Sequence, residues 1–242
     1  MKKKIIFSGG SGRFGKIFQE ISHNYKIYYP SKKILDITNI KKVNSYTKKI
    51  KPDYFIHCAA LSRPMNIHDR DLSKSIDLNI IGTSNVVKCC QVNKIKLIYF
   101  STNYVYPGFK GNYNEESALL PFNNYGWSKL GGECAVSMYK NSLILRICMT
   151  EKPFLHKNAF TDLKTNFMFH EELANILIKL IDKRGVLNIG GKTQSVYNFA
   201  KKYNKKVKKI SANKLYGKNY PLNQSMNVRK YTNIKNKKSA KN

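Results

Sequence analysis

The chain has 242 residues, 42% hydrophobic and 12% aromatic, enough for one large α/β domain with a real core, which excludes a mainly disordered polypeptide. No apolar run approaches the roughly 20 residues that cross a bilayer, and MKKKIIFSGG is too short in apolar residues for a signal peptide, so a cytoplasmic protein without a membrane partner is expected. The net charge of +30 rests on 38 lysines and only 6 arginines, and with the bidentate arginine fork so scarce no specific nucleic-acid partner is expected.

Short β-type runs alternate with helical patterns through the first half, the signature of βαβ units and a parallel sheet. Lys4 to Phe7 is a first strand, followed by a glycine-rich turn and a helix carrying Phe14, Ile17, Phe18 and Ile21 at helical spacing. Tyr25 to Tyr29 is a second strand, stopped by Pro30; Asp53 to Cys58 and Leu97 to Phe100 are two more, joined by a long crossover helix from Ile76 to Gln91. A helix over Tyr125 to Tyr139 and a strand over Leu143 to Arg146 follow. Beyond them come an amphipathic helix from Glu171 to Lys183, a short strand from Val186 to Ile189, and a helix capped by Ser195 that runs through Phe199 and Ala200. From about Asn233 the chain reads as a frayed, charged tail. Lys192 onward carries 15 basic side chains and no carboxylate, a field that attracts polyanions weakly and that a diphosphate-linked substrate would share.

Two constellations carry chemistry. Gly9, Gly12 and Gly15 form a G-x-x-G-x-x-G turn between a strand and a helix, where the backbone can bend and approach a pyrophosphate at the helix N-terminus. After the second strand, where a carboxylate would receive a free ribose hydroxyl, stand Pro30, Ser31, Lys32 and Lys33. Ser31 and Lys32, helped by Arg13, suit a 2′-phosphate, so NADP(H) is the expected cofactor, with NAD(H) left open; Asp36 follows and could reach the adenine or ribose. The second constellation is Tyr125-Gly126-Trp127-Ser128-Lys129, whose tyrosine and lysine share a helix face at i and i+4. A phenol with a pKa of about 10 needs help to work near neutrality, and a neighbouring ammonium supplies it. Thr102, at a strand end, would complete the site by hydrogen-bonding a substrate carbonyl oxygen.

The composite of Ser101-Thr102-Asn103-Tyr104-Val105-Tyr106, Gly108, Tyr113, Glu115, Pro121 and Tyr125 to Glu133 resembles extended short-chain dehydrogenases/reductases of the NAD-dependent epimerase/dehydratase superfamily, and within them the dTDP-4-dehydrorhamnose reductase family. Supporting matches are Leu35 to Thr38, Ala59-Ala60, Asn79 to Thr83, Asp162, Glu172-Leu173-Ala174, Gly185 to Gly190 and Pro221 to Asn227. The resemblance implies a doubly wound parallel sheet (Rossmann fold): an NAD(P)-binding domain over 1–148, a small, shortened substrate-binding region over 149–232, and a basic tail over 233–242. It implies Tyr125 as proton donor, Lys129 as its support and Thr102 as the tuning hydroxyl. Cofactor contacts fall on Gly9, Gly12, Arg13, Phe14 and Gly15, on Asp36 and Ile37, and on Ala59, Ala60 and Leu61, with Tyr125 and Lys129. The implied substrate is a nucleotide-diphosphate sugar with a 4-keto group, met by Thr102, Asn103 and Tyr104; dimers are common among such proteins, so a homodimer fits.

Two departures bear on this. Asn103 stands where the family has an aspartate, and Met149 near its tryptophan, with the chain passing quickly to Glu151-Lys152-Pro153. A 4,6-dehydratase, which needs a carboxylate after the threonine, is disfavoured. A sugar-nucleotide epimerase and a non-catalytic, cofactor-binding regulatory subunit remain as alternatives. The five cysteines form no C-x-x-C pair, and His57, His68 and His170 have no partner at ligand spacing, so neither disulfides nor a metal are expected.

Overall fold

Lys4–Ser8 forms β1, an almost wholly buried strand, and the glycine turn after it leads into α1 (Arg13–Gln19). The computed structural model describes residues 2–21 and 23–237. There follow β2 (Lys26–Tyr28), α2 (Ile40–Ile50), β3 (Tyr54–His57), α3 (Ile67–Arg70), α4 (Leu72–Ile76), a π-helical turn over Asp77–Ile81, α5 (Gly82–Val92), β4 (Lys96–Thr102), a 3-10 turn over Asn103–Val105, α6 (Asn124–Ser137) and β5 (Ser142–Ile147). Four short strands come next, β6 (Met149–Thr150), β7 (Asn158–Phe160), β8 (Lys164–Thr165) and β9 (Met168–Phe169), then α7 (His170–Leu180) and β10 (Gly185–Ile189). The last elements are β11 (Gln194–Ser195), α8 (Val196–Lys201), β12 (Lys208–Ile210), α9 (Ala212–Tyr216) and α10 (Arg229–Lys237).

A six-stranded parallel sheet runs in the order β10-β5-β4-β3-β1-β2. Its register places Ile6 beside Phe55 and Phe55 beside Leu97. Successive side chains of a strand point to opposite faces, and a sheet covered on both needs near-continuous apolar strands. On one face Ile6, Phe55, Leu97, Tyr99 and Ile144 pack with Val43 and Ile50 of α2, with Val86 and Cys90 of α5 and with Val136 of α6. On the other, the ring of Phe7 stacks on Phe18 at 5.1 Å and meets Phe14 at 6.3 Å, and Phe14 lies 5.2 Å from Phe100. The winding is therefore double, with helices on both sides.

The chain divides into two compact units: Met1–Ser101, Asn123–Leu145 and Ala174–Val186 make the first, and Thr102–Phe122, Arg146–Leu173 and Leu187–Asn242 the second. The second is built around Phe154, Ala159, Leu163, Phe169, Val196, Phe199 and Ala200. It carries paired two-residue and three-residue strands, β6 with β9, β8 with β11 and β7 with β12. Strands this short supply few backbone bonds, and buried asparagine side chains add others. Asn166 accepts from the Met226 amide at 2.6 Å and donates to the Gly191 carbonyl at 3.0 Å and the Thr193 hydroxyl at 2.9 Å. Asn188 accepts from the Tyr106 hydroxyl at 2.8 Å and donates to the Tyr113 carbonyl at 2.8 Å and the Asn227 carbonyl at 3.3 Å.

Several expectations need correction. The crossover over 76–91 is helical throughout, but it continues from α4 and holds a π-helical turn over Asp77–Ile81 before α5, which the sequence pattern does not show. α1 stops at Gln19, so Ile21 lies outside it. α2 has no counterpart in the sequence reading; it is held by Asn39, whose side chain accepts from the Lys42 amide at 3.1 Å, and by the buried positions Val43, Thr47 and Ile50. The residues from Asn233 to Lys237 continue α10 instead of fraying, and positions 238–242 lie outside the described residues. Ser195 does cap α8, accepting from the Asn198 amide at 3.1 Å.

Candidate functional site

The glycine turn sits at the carboxyl end of β1. Gly9 has φ of +85°, a region that a side chain strains, and an added Cβ would lie 2.7 Å from the Ala59 amide nitrogen. A Cβ on Gly15 would meet the Gly10 carbonyl oxygen at 2.5 Å. These positions admit only glycine because turn, helix and the loop after β3 close on one another. The first turn of α1 holds no acidic residue, and Gly12 caps it without a side-chain hydrogen bond. Arg13 is exposed, whereas the Phe14 ring is buried against Phe7, Phe18 and Phe100, so Phe14 offers the turn its backbone.

The loop after β3 and the start of α6 are tied together by one residue. The Asn79 side chain accepts from the Leu61 amide at 2.8 Å and donates to the Leu61 carbonyl at 2.9 Å and to the Ser128 hydroxyl at 2.8 Å. Ser128 in turn donates to the Tyr125 carbonyl at 2.8 Å. Asn79 lies in the π-helical turn, a departure often found at functional sites. Asn79 falls within one of the supporting matches without a role there, because a single polar residue in a helix carries no signal of the three bonds it makes.

Asn123 caps α6, its side chain accepting from the Gly126 amide at 2.8 Å, which sets Tyr125 in the first turn and Lys129 one turn on. Tyr125 packs its ring 5.1 Å from His68. Lys129 is only 3% exposed, and its ammonium lies 4.2 Å above the Tyr99 ring. Burial pushes the Lys129 ammonium down to about 8, against the opposing pull of Cys58 and Glu133. Cys58 beside it is pushed up to about 12 by burial, against the pull of Lys129, so the thiol stays protonated. Behind them His57 is buried, and burial together with Lys129 pushes it down to about 3. Its tautomer follows from its partners. Thr83 gives its hydroxyl proton to the Asn79 carbonyl at 2.8 Å, so its oxygen accepts from His57 Nε2 at 3.1 Å. His57 Nδ1 then accepts from Ser8 at 2.8 Å.

Ser31 and Lys32 lie exposed after β2, and the Ser31 carbonyl accepts from the Ile34 and Leu35 amides at 3.0 and 2.9 Å. Asp36 accepts from the Thr38 amide at 3.0 Å and hydroxyl at 2.8 Å. Burial works to raise its carboxyl, but those bonds and the charges of Lys32 and Lys42 together hold it below the usual range. Ile37 is buried, while Ala59, Ala60 and Leu61 are half-buried. All of these belong to the first unit. Thr102, Asn103 and Tyr104 belong to the second. There the Thr102 hydroxyl accepts from the Tyr104 amide at 3.3 Å, Asn103 donates to the Gln224 carbonyl at 3.4 Å, and the Tyr104 ring stands edge-on to Phe122 at 5.3 Å. Among the described residues no group of three or more His, Cys, Asp or Glu could hold a metal ion, and no helix is long and apolar enough to cross a membrane.

A doubly wound parallel sheet, a strand-to-helix glycine turn that excludes side chains, and a tyrosine and lysine one helical turn apart define a Rossmann-type protein of the NAD-dependent epimerase/reductase superfamily. The chain belongs to the family described as RmlD substrate binding domain, whose model matches residues 3–160, and thereby to the dTDP-4-dehydrorhamnose reductases and their relatives. Methionine adenosyltransferase 2 subunit beta of Xenopus laevis is 29% identical over 188 residues, 72% of this chain and 55% of that protein. The dTDP-4-dehydrorhamnose reductase of Mycolicibacterium smegmatis is 27% identical over 140 residues, 56% of this chain and 42% of that one. The chain thus spans about half the length of the curated relatives it matches. Among solved structures, the dTDP-4-dehydrorhamnose reductase of Bacillus anthracis in complex with NADP superposes with a TM-score of 0.83 at 27% identity, over 93% of this chain and 90% of that one.

Proposed function

We propose that the chain is an NAD(P)H-dependent reductase of a nucleotide-linked 4-ketosugar, similar in activity to dTDP-4-dehydrorhamnose reductase, with Tyr125 as proton donor. The observation that carries this reading is the fixed frame of the first unit, in which Asn79 bonds both the loop after β3 and the turn of α6 that bears Tyr125 and Lys129. The closed Cβ positions of Gly9 and Gly15 fit a backbone cradle for a pyrophosphate. Arg13, Ser31 and Lys32 would hold a 2′-phosphate, Asp36 and Ile37 the adenosine end, and Ala59, Ala60 and Leu61 the middle of the dinucleotide. The NADP in the Bacillus anthracis structure supports NADP(H) ahead of NAD(H). When bound, a nicotinamide cofactor supplies hydride to a keto carbon.

The protein's part is positioning and proton delivery. Lys129 would hold the nicotinamide ribose, and its charge would lower the cost of a phenolate at Tyr125 as the phenol proton moves to the forming alkoxide. The neutral tautomer of His57 places no second buried cation beside Lys129 to oppose that charge. Thr102 would supply the tuning hydroxyl that the family resemblance implies, and Asn103 and Tyr104 the contacts to the sugar.

The test is reduction of dTDP- and UDP-4-keto-6-deoxysugars by the full chain with NADPH or NADH. Tyr125→Phe is expected to lower turnover by about a hundredfold or more, with NADPH affinity kept within about twofold. Undiminished turnover in Tyr125→Phe overturns the proton-donor role, and failure of the folded chain to bind either cofactor overturns the whole reading. The likeness to methionine adenosyltransferase 2 subunit beta favours a second reading, a cofactor-binding regulatory subunit. Cofactor binding without turnover of any such sugar would select it.

A further inference from the structure

A second charged pocket lies at the opposite end of the strands from the glycine turn. Ligands of doubly wound sheets bind beyond the carboxyl ends of the strands. This cavity, about 420 Å³, is lined instead by residues at the amino ends: Lys3 before β1, Asp53 before β3, Lys94 before β4 and Lys96 at its start, and Asp182 and Arg184 before β10. All belong to the first unit. Both carboxylates are already engaged, Asp53 by the Lys4 amide at 2.7 Å and Asp182 by the Tyr54 hydroxyl at 2.7 Å. Lys3 donates to that hydroxyl at 3.0 Å, and Arg184 to the Asn141 side chain at 3.3 Å.

Lys96 differs from the rest. It is 8% exposed, and its buried Nζ has no hydrogen-bond partner. Burial first, and then Arg184, push its ammonium down to about 8, against the pull of Asp182. A buried ammonium without a partner is costly, and a strand position such as this one is easily filled by an apolar residue. Four cations against two carboxylates leave a charge that a dianion balances. We propose that this pocket binds a dianionic phosphate group, with Lys96 as the buried anchor and Lys3, Lys94 and Arg184 at the rim. The site is independent of the reductase reading.

The full chain is titrated with inorganic phosphate and, in parallel, glycerol 3-phosphate, following thermal stability and heat of binding at constant ionic strength. Saturating NADPH is present in one arm, so that binding at the glycine turn is told apart from binding here. Saturable stabilisation is expected in both arms, and Lys96→Met, which keeps the packing, is expected to weaken it by about tenfold or more. Arg184→Gln, an exposed change that spares the core, is expected to weaken it less. Tighter binding of the monoester assigns a phosphorylated metabolite as the source, equal binding the free ion; both support the site. Equal titration of wild type, Lys96→Met and Arg184→Gln, or the same stabilisation by chloride, overturns it.

Discussion

The two units are stabilised in different ways. In the first, long buried strands satisfy their backbones through the sheet, while Asn79 ties the loop after β3 to α6 and Asn85 donates to the Ile37 and Thr38 carbonyls. In the second, where strands are two or three residues long, Asn166 and Asn188 are both buried and each makes three side-chain hydrogen bonds to distant parts of the chain. Where regular ladders are scarce, buried amides substitute for them, because every buried backbone group still needs a partner. Both units keep buried titratable groups uncharged, His57 and Cys58 in the first and Cys148 in the second, and both hold a hydrogen-bonded carboxylate low, Asp36 in the first and Asp162 in the second.

The sharpest break in this comparison is Gly15→Ala. Its Cβ would press on backbone atoms at 2.5 and 2.6 Å that have nowhere to go. A loss of about 1–3 kcal/mol in thermal stability is expected, together with a loss of NADPH affinity that a titration measures. Next come the paired changes Asn79→Ala and Asn166→Ala. Each removes three bonds, at about 0.5–1.5 kcal/mol apiece before any orphaned partner is counted, so denaturant unfolding should show similar losses. Only Asn79→Ala should also disturb cofactor binding. Equal effects of both on NADPH affinity would contradict the division of labour.

The dependence on pH probes both units. His57 takes no proton in the folded state until about pH 3, whereas its ordinary value is 6.5. Its contribution is therefore complete above 6.5 and is lost as pH falls toward 3, because the unfolded chain gains a proton that the native state refuses. Lys129 acts in the same sense between its ordinary 10.5 and about 8. Asp162 accepts from the Ser211 hydroxyl at 2.6 Å and the Ala212 and Asn213 amides at 2.8 and 3.1 Å. Burial works to raise its carboxyl, but these bonds hold it below the usual range, so its contribution is lost only as pH falls through that lower value. Amide exchange at about pH 5 against about pH 7 should show protection falling first in β1 and β3. The smallest expected effect is Lys51→Gly, which relieves a left-handed φ of +50° at the end of α2. It should add about 0.5–1 kcal/mol in thermal unfolding.

Apolar runs, a strand-to-helix change of period and i to i+4 spacing make the sheet of the first unit, the glycine turn and the Tyr125 and Lys129 pair legible from local patterns alone. The sequence did not reveal α2, whose buried face is Val43, Thr47 and Ile50 among lysines, nor the π-helical turn within the crossover helix. The folding together of distant segments settles that Asn79 bonds Leu61 and Ser128 and that Asn166 bonds Gly191 and Met226. It also settles that Lys96 alone among its neighbouring lysines lies buried without a partner. An asparagine or lysine has the same local propensity whether it faces water or the interior, so its partners are fixed by what the rest of the chain brings to it.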